Sequence, residues 1–293
     1  MMTWTNEKPW HGLGAEIDAS LSPHEMLVKA KLDYKRPYKS PANHETFQFI
    51  KSFIEAGDAQ LQIVGSLGKG RIVWALARLN EKFTLKGVDP VEGCLLLASR
   101  DEKRDSVQMQ VTTVREVCSN TLQVACTARS TFKNTFRRKF IPTPPFLSPA
   151  ATRLDEDMIQ KAKENIGLSR EAIAAFASDA QRLANQKVDD PVACRYMFNV
   201  FQPESIQGLS VIGQKEIEEL AEKKTHMAIE AIKKAPGQNL EAARMTAWGL
   251  LSAVTYTVDH HLGNNQDSRL RLAWFGENAD IKKKAFQLAL KLL

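Results

Sequence analysis

Residues 60–79 read QLQIVGSLGKGRIVWALARL, two apolar runs on either side of a glycine-rich loop. The runs at 60–64 and 71–79 combine Leu with Ile, Val and Trp, which favour β-strands. The loop at 65–70 contains three glycines, which allow the chain to turn tightly. We therefore predict a β-hairpin at residues 60–79, as the first part of a sheet.

Two more strands and a helix are predicted directly after the hairpin. Residues 93–99 form a short apolar run suited to a buried strand. Residues 106–114 alternate apolar and polar side chains, as a strand with one buried face does. From 114 to 125 the apolar residues recur at helical spacing, which predicts a helix. This order predicts an α+β fold, in which an antiparallel sheet carries helices on one face.

The N-terminal region is predicted to contain two short helices and an aromatic arm. A capping box at Ser22, with proline at the first helical position, predicts the first helix. Asn43 is the predicted cap of the second. Residues 4–14 read WTNEKPWHGLG, and we expect this arm, with Trp10 and His11, to dock on the core or on a neighbouring subunit.

The stretch IPTPPFLSP at 141–149 is the clearest boundary in the chain. Its four prolines exclude regular secondary structure, so we predict a linker between an α+β domain at 1–140 and an all-helical domain at 150–293. In the helical half, Asp155 and Ser169 are the predicted caps of two consecutive helices. Further helices are predicted at 214–234, 240–261 and 279–293.

The net charge of +6 comes from one part of the chain. Residues 117–154 contain no Asp or Glu, and their six basic residues equal the whole excess of positive charge. These are Arg129, Lys133, Arg137, Arg138, Lys139 and Arg153. A concentrated basic patch is typical of a protein that binds a polyanion. The alternative is a solvated basic loop before a domain boundary.

The centre of this patch, RSTFKNTFRRKF at 129–140, separates charge from aromatic side chains. Read as a strand or as a helix, it places basic residues on one face and phenylalanines on another. Phe132 and Phe136 would stack on bases if they are exposed. The pattern favours the alternative, that they anchor the segment in the core, because stacking requires them to be exposed beside the phosphate-binding charges.

The glycine-rich loop of the hairpin does not have the pattern of a nucleotide-binding P-loop. That motif needs a Ser or Thr after its lysine and joins a strand to a helix. Here Lys69 is followed by Gly70, and the loop joins two predicted strands. We expect a hairpin turn whose Lys69 and Arg71 add to a nucleic-acid surface.

Candidate catalytic groups are few. Asp259, His260 and His261 are adjacent, so the two histidines cannot form the i,i+4 pair of a zinc-binding helix. A position at a helix C-terminus explains them, and a metal-dependent nuclease using Asp259 and His260 is a minor alternative. Cys118 has apolar neighbours, which favours a buried thiol over a nucleophile. We expect no enzymatic activity and no cofactor.

The composition is that of a globular protein, with 43% hydrophobic and 25% charged residues. Four scattered cysteines do not make a disulfide framework. No apolar run approaches the roughly 18 residues that a membrane span needs. We expect a soluble protein of a reducing cytoplasm with no membrane partner.

Five short segments, in this order, resemble a known family. They are PWHGLG at 9–14, TVREVCSNTL at 113–122, AVTYTVDH at 253–260, AWFG at 273–276 and KAF at 284–286. The set resembles the phage/plasmid-like protein family, a domain of unknown function found in bacteriophages, prophages and conjugative plasmids. The resemblance spans nearly the whole chain. It implies a mobile-element protein in the bacterial cytoplasm, whose relatives often lie beside recombination and single-strand-binding genes, and it implies no activity. Family members usually carry a histidine where Asn134 or Thr135 stands here, so no catalytic role transfers to that position.

The predicted strand–strand–strand–helix order at 71–125 also resembles the core of phage single-strand annealing recombinases. Those proteins bind nucleic acid in a basic groove, as rings or filaments, without catalytic residues. This analogy concerns the fold alone.

Together these features predict a DNA-binding protein of a mobile genetic element that favours single strands and forms a homo-oligomer. It would act as an annealing or accessory factor beside recombination or replication proteins. Its predicted phosphate contacts are Arg129, Lys133, Arg137, Arg138 and Lys139, with Lys69 and Arg71 as outer contributors. The alternative is a non-catalytic oligomeric interaction protein that binds a host or phage partner through its helical half, residues 155–293.

Overall fold

The computed structural model describes residues 4–17, 21–30, 47, 50–52, 54–56, 59–100, 107–124, 156–203 and 210–293. It confirms the predicted α+β class, because a six-stranded antiparallel sheet precedes a set of helices. In chain order the elements are β1 (Gly14–Glu16), α1 (Pro23–Lys29), β2 (Gln60–Leu67), β3 (Ile72–Leu85), β4 (Asp89–Arg100), β5 (Val107–Arg115), β6 (Asn120–Gln123), α2 (Glu156–Asn185), α3 (Asp190–Phe201), α4 (Val211–Lys234), α5 (Ala247–His260), α6 (Gln266–Phe275) and α7 (Glu277–Leu290).

The sheet has the simplest possible topology, with strands in the order β1-β2-β3-β4-β5-β6. Leu67 pairs with Ile72, so the predicted hairpin is confirmed and its turn consists of residues 68–71. The strands predicted at 93–99 and 106–114 are confirmed as parts of β4 and β5. Strands β2 to β6 are therefore joined by short connections, as in a meander, whereas residues 17–59, which include α1, lie between β1 and β2.

Two glycines make room for one tryptophan in this sheet. Gly14 of β1 pairs with Gly65 of β2, and Trp74 of β3 is fully buried beside them. A Cβ atom at Gly65 would lie 2.4 Å from the Trp74 ring and 2.4 Å from the carbonyl oxygen of Leu13. The PWHGLG segment therefore has a packing role, since its last glycine meets Trp74 in the same way.

The predicted helix at 114–125 is wrong. β5 continues to Arg115, residues 116–119 form a turn in which Ser119 has a φ of 52°, and β6 returns along β5. Residues 118–122 are all buried, because helices cover this hairpin as well as the sheet. Because buried residues follow one another here without alternation, the apolar residues of this segment had the spacing of a helix. Without this helix, the strand–strand–strand–helix order that resembles annealing recombinases is not present.

The N-terminal helices agree with the predictions where they are described. α1 has the capping box at Ser22. Phe47, Ile50 and Ile54 are helical and buried, as expected for the apolar face of a helix capped at Asn43, which itself lies outside the described residues.

In the helical half, several helices begin or end at residues other than the predicted ones. Ser169 does not begin a helix; it lies inside the 30-residue α2 and its hydroxyl donates to the carbonyl oxygen of Asn165 at 2.7 Å. The helix predicted at 240–261 begins at Ala247, where Thr246 provides the cap. Helices α3 and α6 were not predicted. The helices predicted at 214–234 and 279–293 correspond to α4 and α7.

The helices and the sheet share one hydrophobic core. All 14 residues of α5 are buried, because the sheet and the other helices surround it. Ile173 of α2 fits against Gly93 of β4, where a Cβ atom would lie 2.4 Å from its side chain. The linker predicted at 141–149 lies outside the described residues, and the proposed domain boundary stays a prediction.

Candidate nucleic-acid interface

The predicted interface is described only in part. Arg129, Lys133, Arg137, Arg138 and Lys139, with Phe132 and Phe136, all lie outside the described residues. Lys69 and Arg71 are described, and both side chains are exposed on the turn between β2 and β3. We call residues 68–71 the Lys69 turn.

The Lys69 turn has an uncommon backbone conformation. Gly68, Lys69 and Gly70 follow one another with φ values of 62°, 60° and 90°. Glycine adopts this region freely, but lysine does so at a cost. The glycines of the loop therefore permit the turn, and Lys69 is carried at its tip.

An internal carboxylate binds the turn. The amide of Gly68 donates to both carboxylate oxygens of Asp267, at 2.8 and 3.1 Å. A phosphate cradle would use such an amide for its ligand. Because Asp267 already accepts from it, the geometry agrees with a hairpin turn and not with a nucleotide site.

The start of α6 connects this turn to the N-terminal arm. Asn265 and Ser268 form a capping box at the start of the helix. The side chain of Gln266 donates to the carbonyl oxygens of His11, at 2.6 Å, and Pro9, at 3.3 Å. The arm and the Lys69 turn are therefore held by adjacent residues of α6.

The arm docks on the core of the same chain, which was one of the two predicted positions. Trp10 is buried and its ring lies 6.0 Å from that of Trp274. Trp4 stacks on Tyr256 at 5.8 Å, and the Tyr256 hydroxyl donates to the carbonyl oxygen of Thr5 at 3.0 Å. The aromatic residues of the arm are packing groups, whereas His11 is exposed.

The Lys69 turn lies at the end of the sheet toward which β6 runs. Ile72 pairs with Arg100, and Ser99 with Val107, so the start of β3, the end of β4 and the start of β5 lie together. β6 is antiparallel to β5 and therefore runs toward this end. Across the sheet, three strand spacings of about 4.8 Å separate β3 from β6, and along the sheet Gln123, which pairs with Thr112, lies about 17 Å from the level of Val107.

Asp259, a candidate metal ligand in the nuclease alternative, is occupied by protein partners. Its Oδ1 lies 2.8 Å from the ammonium of Lys282, and its Oδ2 accepts from the amide and hydroxyl of Thr121 at 2.7 and 3.0 Å. Both side chains of the ion pair are buried. Desolvation lowers the pKa of Lys282, and the charge of Asp259 opposes this effect. The arrangement joins α5 and α7 to β6.

The two histidines occupy the helix C-terminus, as predicted. His260 is in the last turn of α5 and its Nε2 lies 3.2 Å from the carbonyl oxygen of Cys118. Burial lowers the pKa of His260, and it lowers the pKa of His261 to about 4, with added effects of His260 and Arg269. Within the part of the chain that the structure describes, no group of three or more His, Cys, Asp or Glu residues is placed to hold a metal ion.

A second buried ion pair was missed by the sequence reasoning. The Nε of Arg115 donates to both carboxylate oxygens of Asp89, at 2.8 and 2.9 Å, and its Nη2 donates to the carbonyl oxygen of Gly237. The indole of Trp248 also donates to Asp89, at 2.9 Å. Cys118 lies beside this network, fully buried, and desolvation raises the pKa of its thiol. This agrees with the prediction of a buried thiol.

Three of the motifs that carry the family resemblance meet at one buried junction. The hairpin of 113–122 contributes Thr121, the AVTYTVDH segment contributes Asp259, and Trp274 of AWFG donates to the Thr121 hydroxyl at 3.1 Å. Asn120 adds bonds from its side-chain amide to Ser252 and Thr255 of α5. The motifs therefore mark the contacts between sheet and helices.

Comparison with known proteins places the chain in a family. A family model described as a domain of unknown function (DUF932) matches residues 34–142 and 151–274, and the chain belongs to that family. No curated protein and no solved structure matches the chain. Among the described residues, no helix is both long and apolar enough to cross a membrane.

Proposed function

Taking membership of that family as the premise, we propose that the chain is a DNA-binding protein of a mobile genetic element, active in the cytoplasm of a bacterial host. It favours single-stranded DNA and acts as a homo-oligomeric annealing or accessory factor in recombination or replication. Its role is binding, without catalysis, and requires no cofactor. The phage and plasmid association rests on the resemblance of the quoted motifs.

The observation that carries this proposal is the distribution of charge. Residues 117–154 hold six basic and no acidic residues, while the rest of the chain is neutral in sum. Lysines and arginines gain free energy on phosphates because condensed counterions are released. Because the rest of the chain has no net charge, a polyanion is attracted mainly to this segment.

The described residues of the interface also support this proposal. Lys69 and Arg71 are exposed, and β6, which precedes the basic segment in the chain, runs toward their end of the sheet. Lys69 also has a positive φ, a conformation that lysine adopts less readily than glycine or asparagine.

The test is binding to labelled single- and double-stranded oligonucleotides, followed by fluorescence anisotropy over a salt series. We expect affinity for single strands to fall steeply with salt. Replacing Arg137, Arg138 and Lys139 by glutamine should reduce the slope of log K against log salt by about 2, at about 0.7 for each phosphate contact. The matched control replaces three exposed lysines of α4 by glutamine: Lys215, Lys223 and Lys233.

A second pair of variants tests the Lys69 turn. Lys69→Asn and Lys86→Asn each remove one positive charge and each relieve a positive φ, of 60° and 51°. Lys86 lies at the other end of β3, roughly 40 Å away at about 3.3 Å for each residue. We expect Lys69→Asn to reduce the salt slope by about 0.7 and Lys86→Asn to leave it unchanged. Absence of binding at low salt, or equal losses in variants and controls, would overturn the proposal.

One observation favours the interaction protein as a second candidate. The first half of α4 exposes three large apolar side chains, Val211 at 82%, Ile212 at 74% and Leu220 at 50%. Exposed apolar groups on a helix are typical of a surface that a partner protein covers. If the oligonucleotides do not bind, the oligomeric state of wild type and of Ile212→Glu, measured by sedimentation velocity, is the next experiment. A state unchanged by this substitution would argue against α4 as the self-association surface.

A further inference from the structure

We propose that Asp267 is a positioning residue of the nucleic-acid interface: its carboxylate holds the Lys69 turn so that Lys69 and Arg71 face the phosphates. This inference rests on the proposed function and concerns the same site. Asp267 is 199 residues from Gly68 in the chain, so the contact joins the sheet to α6. Asp267 itself does not contact the nucleic acid.

The turn needs outside support because its own hydrogen bonds are long. The amide of Gly70 donates to Leu67 at 3.2 Å, and that of Arg71 donates to Gly68 at 3.4 Å. The backbone holds three successive residues at positive φ, a region that is sparsely populated for Lys69. A loop of this kind samples several conformations unless a tertiary contact selects one of them.

Asp267 supplies that contact with a charged acceptor. The amide of Gly68 donates to both oxygens, at 2.8 and 3.1 Å, and bonds to an ionised acceptor are stronger than neutral ones. Gly68 directly precedes Lys69, so fixing its amide fixes the backbone at the tip of the turn. The carboxylate therefore acts on the two cations through the peptide chain.

The position of Asp267 is itself well determined. It lies in the first turn of α6, where a negative charge is favourable, and the capping box of Asn265 and Ser268 fixes the helix end. Its neighbour Gln266 is bound to the N-terminal arm. The turn is therefore held by a rigid helix end and not by another loop.

For the substitution Asp267→Asn, a positioning role and simple electrostatics predict opposite changes in affinity for nucleic acid. Asp267→Asn removes a negative charge close to Lys69 and Arg71, which by charge alone strengthens binding to a polyanion. If Asp267 positions the turn, the same substitution weakens binding, because an amide oxygen is a poorer acceptor. Asp267→Ala, which has no side-chain acceptor, should weaken binding further.

Asp280→Asn is the matched control for charge. Asp280 also lies in the first turn of a helix, α7, and its carboxylate accepts from Lys283 at 3.2 Å and not from the Lys69 turn. We expect this variant to bind single strands as tightly as wild type or slightly more tightly. We expect Asp267→Ala to reduce the salt slope by about 0.7 to 1.4, the equivalent of one or two phosphate contacts.

Two further measurements separate positioning from a loss of stability. The Gly68 amide should exchange with solvent faster in Asp267→Ala and at the wild-type rate in Asp280→Asn, measured by NMR on folded protein. In a Lys69→Asn/Arg71→Gln background, Asp267→Ala should have no additional effect on binding, because the cations that it positions are gone. A general destabilisation would be additive in that background.

The outcomes distinguish the inference from the function on which it rests. If wild type does not bind oligonucleotides, both fall. If wild type binds and Lys69→Asn weakens binding, but the Asp267 variants bind as tightly as Asp280→Asn, only the inference is overturned. An unchanged exchange rate of the Gly68 amide in Asp267→Ala also overturns it.

Discussion

The buried ion pair between Asp259 and Lys282 predicts a large loss of stability on replacement of one partner. The two charged atoms lie 2.8 Å apart, and the side chains are 0% and 1% exposed. Lys282→Met keeps most of the apolar stem but leaves Asp259 without a counter-charge, still bonded to Thr121. Breaking a buried pair in this way costs about 3–5 kcal/mol of the free energy of unfolding.

The next residue in the chain is the control. Lys283 forms an ion pair with Asp280 at 3.2 Å on the same helix, but Asp280 is 68% exposed. Exposed pairs contribute about 0–1 kcal/mol, so Lys283→Met should lower the free energy of unfolding by no more than this. The two variants differ by one position and carry the same change of charge.

Urea unfolding at pH 7 measures both free energies by linear extrapolation. We expect the deficit of Lys282→Met to be the same at about 0.05 M and about 0.5 M salt, because salt screens a buried pair little. Asp259→Asn combined with Lys282→Met should cost less than the sum of the two single changes, since the unpaired charge is removed. Equal losses for Lys282→Met and Lys283→Met would refute the reasoning.

Two other predictions concern packing and protonation. Gly65→Ala should lower the free energy of unfolding by about 1–3 kcal/mol, because its Cβ would meet Trp74 and Leu13 at 2.4 Å. Gly167→Ala should raise the free energy of unfolding by about 0.5–1 kcal/mol, because its Cβ, inside α2, meets nothing within 4 Å. Thermal unfolding compares them, and similar effects would contradict the geometry. Burial lowers the pKa of His260, and that of His261 to about 4 from an ordinary 6.5, so both stay neutral in the fold while they gain protons in the unfolded chain. The contribution of His261 is therefore complete above pH 6.5 and declines as pH falls toward 4. Urea unfolding across this range should show a smaller decline in His261→Gln than in wild type, and parallel curves would contradict the assignment.

The parts of the fold that could be predicted from sequence are those with local signals. The hairpin at 60–79 carries glycines at its turn, and α1 carries its capping box. β6 could not be recognised, because its residues are buried by helices that lie more than 130 residues away in the chain. Local periodicity contains no information about such distant cover.

The candidate site also contains some features that have a local sequence signal and others that do not. Lys69 and Arg71 were expected to be exposed on a turn, and they are. The contact of Asp267 with Gly68 has no local signature, because the two residues are 199 positions apart in the chain. Asp89 likewise meets Arg115 only when β4 pairs with β5, and Lys282 meets Asp259 only when α7 packs on α5. The phosphate contacts of the basic segment stay a prediction.

The bonds that hold β6 also set the order in which the protein can assemble on the ribosome. Lys282 donates to the carbonyl oxygen of Thr121 across 161 residues of chain, and Asp259 bonds to Thr121 across 138. At about 5–20 residues per second, synthesis of those 161 residues takes roughly 8–30 s. During that time β6 lacks the groups that bond to it and cover it. The nascent chain therefore presents an uncovered β6 until α7 emerges, and during this interval chaperones have access to that edge of the sheet.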